Sequence, residues 1–402
     1  MEKTSPISQM LNDIASCSAS NDGVTRLPFT PQHRAAIEKI KTWMIDSGLK
    51  VHVDDAGTVI GRLEGSPNSP TLLLGSHQDS VHNGGRFDGI MGVLLPILAL
   101  RKIRNITLPY SVQVMAFADE EGVRFPTALI GPRALAGTLD IDSLDLKDDN
   151  GISIRDAMIK FQLNPKTLHK LDLRNTPLIG YIETHIEQGP VLYEKNLPLG
   201  IVTAISGIER HQIILKGVSG HAGTTPMDNR QDTLACAAEL VLNAEKIAKD
   251  TADLIATIGK FTVAPNVVNV ISSQVSMVLE VRSASDEIRE IGGKSIIKKL
   301  KMIAAERKID FFSSKTYSQQ ASPCDERLKL VLQNAISKTG HPVFELPSGA
   351  THDASAIADL CPIAMLFVRC HKGISHTPEE LAQELDMQAA VDSLANFLTL
   401  LK

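Results

Sequence analysis

Four short apolar runs constrain this 402-residue chain more than any other feature, because each stops at a cluster of glycine, histidine and acidic residues. Thr71–Leu74 runs into Gly-Ser-His77-Gln-Asp79, and Ser111–Phe117 runs into Ala-Asp-Glu120-Glu121-Gly. Leu178–Glu183 leads to His185, Glu187 and Gln188, and Pro362–Arg369 leads through Cys370-His-Lys-Gly to His376. Apolar runs of this length bounded by glycine read as buried strands, and the apolar stretch Gly89–Lys102 reads as a helix. Strands alternating with helices give an α/β domain with a largely parallel sheet. Such sheets place ligands beyond the carboxyl ends of their strands, where these polar clusters fall.

The remaining pattern places a second domain inside the first. Pro6 to about Ser18 and Pro31–Ser47 read as helices, and Leu49–Val53 and Val59–Leu63 alternate as strands. From about Arg210 the order becomes strand (Arg210–Val218), helix (Asn229–Ala248), two strands (Ile255–Val263, Gln274–Arg282), helix (Ser285–Arg307) and strand (Ile309–Thr316). That βαββαβ order is the split ferredoxin-like unit. The expectation is a discontinuous catalytic domain, 1–209 with 318–402, carrying an insertion over 210–317. Two domains also suit a chain longer than one core usually supports.

Composition excludes several classes. A formal net charge of -5 and the lack of a basic block argue against a nucleic-acid surface. The longest apolar stretches are too short to span a bilayer, and the N-terminal segment carries no secretory pattern. Five scattered cysteines make neither a disulfide framework nor a Cys-rich zinc site, which points to a reducing cytoplasm.

Pooled, the strand-end clusters offer two or three histidines, drawn from His77, His185 and His376, and several carboxylates, among them Asp79, Asp88, Glu120, Glu121 and Glu187. Mixed N/O ligation suits Zn²⁺, Mn²⁺, Co²⁺ or Ni²⁺, and two ions bridged by one carboxylate activate water and polarise a carbonyl together. Adjacent glutamates divide labour, one binding metal and one moving protons. Asp79, two residues from His77, is placed to orient its imidazole. In the insertion, His221, Asn269 and Arg282 lack metal spacing and suggest substrate binding. His221 would donate to a developing oxyanion. Arg282 either clamps a carboxylate or pairs with a structural acid such as Glu280 or Asp286.

GSHQDSVHNGGRFDGIMGV, FADEEGVRF, ETHIEQGPVL, GHAGTTPMDNRQD, VVNV, EVR, SGATHDA and GISHTPEE stand in this order along the chain. In that order and spacing they resemble the M20-type amidohydrolases, in the branch of N-carbamoyl-L-amino-acid hydrolases, β-ureidopropionases and allantoate amidohydrolases. The resemblance implies two divalent metals, one on His77 and His185, the other on Glu121 and His376, with Asp88 bridging. It implies Glu120 as general base and substrate roles for Gln188, His221, Asn269, Arg282, His352 and the backbone near Thr351. It also implies a homodimer in which the insertion serves as lid and dimer surface. The expected reaction is hydrolysis of a linear ureido C–N bond in a small carboxylate-bearing substrate, releasing ammonia and CO₂. Related dipeptidases and aminoacylases, the alternative reading, usually place a carboxylate where this sequence has His185. Gln78, Pro126, Pro132, Thr351 and His371-Lys372 depart from the commonest pattern.

Overall fold

The computed structural model describes Ser5–Lys402; of the N-terminal segment read above, Met1–Thr4 lie outside the described residues. In chain order the strands are β1 (Lys50–Val53), β2 (Val59–Leu63), β3 (Thr71–His77), β4 (Ser111–Phe117), β5 (Leu178–Ile186) and β6 (Leu199–Ile205). They continue with β7 (Gly207–Lys216), β8 (Ile255–Ala264), β9 (Gln274–Ser283) and β10 (Asp310–Gln319). The last are β11 (Ser322–Pro323), β12 (Glu345–Ser348) and β13 (Ile363–Val368). The chain forms two compact units. One comprises residues up to Thr203 with Cys324–Leu346 and Ala350–Lys402; the other comprises Ala204–Pro323 with Pro347–Gly349. The fold class read from the sequence holds: a mostly parallel central sheet, and a separate antiparallel one.

In the first unit the strand order is β1-β2-β4-β3-β5-β13-β6. The middle four, β4, β3, β5 and β13, run parallel, and antiparallel strands flank them. Every residue of β3 and of β13 is buried. A parallel sheet covered on both faces demands such unbroken apolar runs, which is why they were readable in the sequence. The helix Ile90–Lys102 is apolar all round because Ile90–Leu100 are buried on every side.

β3 and β5 run farther than their apolar runs. β3 continues because Ser76 and His77 pair with Ala116 and Phe117, and β5 continues because His185 and Ile186 pair with Phe367 and Val368. Backbone pairing is indifferent to side-chain polarity, so both histidines are strand residues held by ladders, not loop residues. The sequence reading assigned no element to β6 or to the helices Glu326–Lys338 and Glu384–Leu400, which pack on each other.

The second unit runs β7, helix Thr233–Asp250, β8, β9, helix Asp286–Glu306, β10, in the sheet order β10-β7-β9-β8. All its pairings are antiparallel, and the order is that of a ferredoxin-like sheet. One face is covered, so β9 alternates: Val275, Met277, Leu279 and Val281 are buried against Cys236, Leu240, Ile296 and Leu300. β7 starts at Gly207, before the expected Arg210. The first helix starts at Thr233 instead of Asn229, because the Asp232 carboxylate accepts from the Leu234 and Ala235 amides and fixes the N-terminus there. All five cysteines are free thiols. Among the described residues no helix is long and apolar enough to cross a membrane.

Candidate metal centre

The carboxyl ends of β3, β4, β5 and β13 bring His77, Asp79, Asp88, Glu120, Glu121, His185, Gln188, His352 and His376 into one neighbourhood of the first unit. His77 ends β3 and His185 lies one residue from the end of β5. Asp88 sits in the loop entering helix Ile90–Lys102. That loop passes directly over the His77 ring: a Cβ on Gly89 (φ 64°) would lie 2.3 Å from the imidazole. Only glycine tolerates both the approach and the left-handed backbone.

The two buried imidazoles are aimed by their second nitrogens. His185 Nδ1 lies 2.9 Å from the Ile186 carbonyl, and His77 Nδ1 lies 3.2 Å from the Asp79 carbonyl. A carbonyl only accepts, so each Nδ1 carries the hydrogen and each Nε2 is left to face the other, 3.4 Å away. Asp88 Oδ1 completes this group at 3.0 Å from His185 Nε2 and 3.5 Å from His77 Nε2. Its other oxygen, Oδ2, lies 3.3 Å from His376 Nε2, and Glu121 Oε2 is 3.7 Å from that same nitrogen. The two oxygens of one carboxylate thus address two separate donor sets: His77-Asp88-His185, and Asp88-Glu121-His376. Within each set the donor atoms lie within 4.8 Å of one another. Converging imidazole nitrogens around carboxylate oxygens, with the far ring nitrogens of His77 and His185 occupied, fit divalent transition cations by donor type. A further group, Glu183 with His185 and His352, is also buried and equally close.

The charges of the chain alone set the protonation pattern. Burial would depress His77, but Asp79, Asp88 and Glu120 raise it well above the ordinary histidine value. Burial would raise Asp88, but His185, His376 and His77 hold it well below the usual carboxylate range. Burial, reinforced by Glu121 and opposed by His77, pushes Glu120 well up. Burial and Asp88 lift Glu121 to about 7, and hydrogen bonding to Asp88 lifts His376 to about 9. A site with this much proton affinity is one where a cation and protons compete for the same lone pairs.

Supporting bonds fix the rest. Asp79, buried, accepts from the Glu120 and Glu121 amides at 3.1 and 3.2 Å, so it aligns the paired glutamates as well as facing His77. Glu120 Oε2 stands 3.9 Å from His77 Nε2. The Gln188 amide donates to Asp88 Oδ2 at 2.8 Å and lies 3.2 Å from His376 Nε2. His352 is buried and meets the His185 ring edge-on, 4.6 Å between centroids, with half-buried Thr351 beside it in sequence. Gln78, a departure from the commonest pattern, is buried and donates to the Ala116 carbonyl at 3.0 Å, so it serves the strand and not the cluster. His371 packs edge-on against Tyr193.

The other residues expected to touch substrate belong to the second unit. His221 and Asn269 are exposed on adjoining loops, where the Ala222 amide donates to the Asn269 carbonyl. Arg282 Nε pairs with Glu280 at 2.7 Å, and its Nη1 donates to the Gly349 carbonyl at 2.6 Å. Two buried acids that sequence reading passed over, Glu183 and Glu380, lie among the site segments. Glu183 sits inside a strand and Glu380 only four residues past His376, so position near a ligand was the one available signal.

Comparison with known proteins identifies the relationship. Residues 73–400 match peptidase family M20/M25/M40. The N-carbamoyl-L-amino acid amidohydrolase of Geobacillus stearothermophilus is 39% identical, over 92% of each chain. The allantoate deiminase of Arabidopsis thaliana is 36% identical, over 96% of this chain and 80% of its own. The crystal structure of an amidase of the hydantoinase/carbamoylase family from Burkholderia multivorans superposes with a TM-score of 0.91 at 30% identity, over 98% of this chain and 97% of that one. The chain belongs to the M20/M25/M40 family, in the branch of the N-carbamoyl-L-amino-acid and allantoate amidohydrolases.

Proposed function

We propose that this chain is a metal-dependent amidohydrolase that cleaves the C–N bond of a linear ureido substrate bearing a carboxylate, such as an N-carbamoyl-L-amino acid or allantoate. The products are an amine, ammonia and CO₂. The single observation that carries the reading is Asp88, whose two oxygens face two different imidazole sets. Two divalent ions (Zn²⁺, Mn²⁺, Co²⁺ or Ni²⁺), held by His77, Asp88 and His185 and by Asp88, Glu121 and His376, would supply Lewis acidity to a water and to the ureido carbonyl.

The chain performs the proton work. Glu120, whose Oε2 stands 3.9 Å from His77 Nε2 beside the donor sets, takes a proton from the attacking water and returns it to the departing nitrogen. Asp79 holds the Glu120 amide and thereby the angle of attack. Gln188, Asn269, Arg282, His352 and the backbone near Thr351 would hold the substrate carboxylate and ureido group, and His221 would donate to the developing oxyanion. Fixed by Glu280 and Gly349, the Arg282 guanidinium is preorganised for such a contact.

The same proposal makes residues 210–317 the lid and dimer surface of a homodimer. Exposed apolar side chains on the outer strands of that sheet, Ile255 and Phe261 on β8 and Phe312 on β10, support a protein-facing role. Five unpaired thiols suit a cytoplasmic location.

Elemental analysis after dialysis tests the metal reading. The chain should retain two divalent ions, His376→Ala one, and Asp88→Ala none. Equal occupancy in all three would remove Asp88 as the shared ligand. Light scattering should give twice the monomer mass; a monomer would end the dimer reading.

A further inference from the structure

We propose that Glu183 and Glu380 are positioning residues, one for each donor set: Glu183 fixes His77 against His185, and Glu380 fixes Asp88 against His376. The inference rests on the two-cation reading above. It concerns residues outside the ligand set, and it follows from where their hydrogen bonds go.

Both carboxylates are buried, and a buried carboxylate is costly unless its oxygens are occupied. Glu183 Oε1 accepts from Ser76 Oγ at 2.7 Å, and Ser76 immediately precedes His77. Glu183 Oε2 accepts from the Ala354 amide at 2.8 Å, two residues past His352. Glu183 is itself two residues before His185 on β5, which puts both side chains on one face of the strand. One carboxylate therefore ties the end of β3, the end of β5 and the start of the helix Asp353–Ile357.

Glu380 repeats the device at the other donor set. Its Oε1 accepts from the Phe87 and Asp88 amides, each at 3.0 Å, and its Oε2 accepts from Ser375 Oγ at 2.7 Å. Ser375 precedes His376 and also reaches Asp88 Oδ2 at 3.3 Å. The Asp88 loop and the His376 loop, 292 residues apart at Asp88 and Glu380, thus meet on one carboxylate. A Cβ on Gly85 would stand 2.1 Å from Glu380 Oε1, so the glycine in Gly-Gly-Arg-Phe-Asp makes room for the acid.

Glu187 supplies the contrast. It lies in the same motif as Glu183 and is also buried, yet it accepts from the Val191 and Leu192 amides at 2.8 and 2.9 Å. Those donors open a short helix and hold no ligand segment.

The test is a Co²⁺ titration of the chelator-stripped full-length chain, read by visible absorbance and by chelator competition. The unmodified chain should take two Co²⁺. Glu183→Gln should weaken the cation of His77 and His185, and Glu380→Gln that of Asp88 and His376, each by roughly 10–100-fold with a changed Co²⁺ spectrum. Glu187→Gln should bind both ions as the unmodified chain does, even if it melts earlier. Ser76→Ala and Ser375→Ala each remove a single donor, so they should move affinity in the same directions by less, and they carry the test if a Gln variant fails to fold. Unchanged affinity and spectrum in the Glu183 and Glu380 variants, or in both serine variants where the others do not fold, would overturn the positioning role and leave the cation reading standing. An equal loss in Glu187→Gln would overturn it too, by making the effect one of general destabilisation. A chain that binds no Co²⁺ at all would remove the reading on which the proposal rests.

Discussion

The two units handle charge in opposite ways. In the first, titratable groups are buried at strand ends and beneath loops, and burial drives many of their shifts: His33 is depressed to about 3 and Asp54 raised to about 6. In the second, burial would raise Glu209 and Glu280, but Lys315 and His211, and Arg282 and Arg210, bring them below the ordinary value. Opposite charges that pair, around buried Glu209 and half-buried Glu280, offset their own desolvation, whereas buried donors facing one another are costly unless something binds them. The first unit thus gathers cation-binding donors at its strand ends, and the second neutralises its charges in pairs.

The largest effect that separates the units is chemical. Glu120→Gln should lower turnover by about 10²–10⁴-fold, the range for a general acid–base, while both ions stay bound. Near-normal turnover would move the base elsewhere. Next comes the core of the second unit: Leu279→Ala, at a fully buried position, should cost ~2–5 kcal/mol in unfolding. Calorimetry should show that loss while the cation count is unchanged. A lost cation would mean that the metal clusters depend on the second unit's packing.

Arg282→Ala follows. It removes a charged donor worth about 1.5–3 kcal/mol, so kcat/KM should fall by roughly 10–150-fold, chiefly through KM, with unchanged metal content. An unchanged KM would leave Arg282 as a partner of Glu280 alone.

The smallest effect is a pH slope confined to the first unit. His33 accepts from the Phe29 amide at 2.9 Å and stacks on Phe161, so the folded chain keeps it neutral. With a folded value of about 3 against an unfolded 6.5, the unfolded state takes up a proton that the folded state refuses. Stability is therefore lost as pH falls from 6.5 toward 3, at about 1–2 kcal/mol by pH 5. Asp54 works in the reverse sense, losing its contribution as pH rises from 3.8 through about 6. His33→Asn should melt with a smaller difference between pH 7 and pH 5 than the unmodified chain; an equal difference would assign the acid loss to other groups.

What could be read in the sequence follows the same division. The first unit announced itself because a buried parallel strand must be apolar until it ends, so the polar clusters that hold His77, Glu120, Glu121, His185 and His376 stand out where such runs stop. The sharing of Asp88 between two sets entered through resemblance, since spacing alone does not say where a loop carboxylate points. Glu183 was invisible as a brace because its partner Ser76 belongs to another strand. Glu380 was invisible because Phe87 and Asp88, whose amides it accepts from, lie nearly three hundred residues away. In the second unit the ferredoxin-like order was legible from alternation, but which acid Arg282 pairs with was not, since its sequence offered both Glu280 and Asp286. Side chains on a half-covered sheet carry no periodic sign of what they hold.

The most direct measurement is ammonia release by the chelator-stripped chain reconstituted with Mn²⁺ or Zn²⁺. The substrates would be N-carbamoyl-L-amino acids, β-ureidopropionate and allantoate, beside an N-acetyl amino acid and a dipeptide followed by amine release. The expected result is metal-dependent turnover of a ureido compound and none of the acetyl or peptide substrates. Cleavage of only the acetyl or peptide substrate would contradict it.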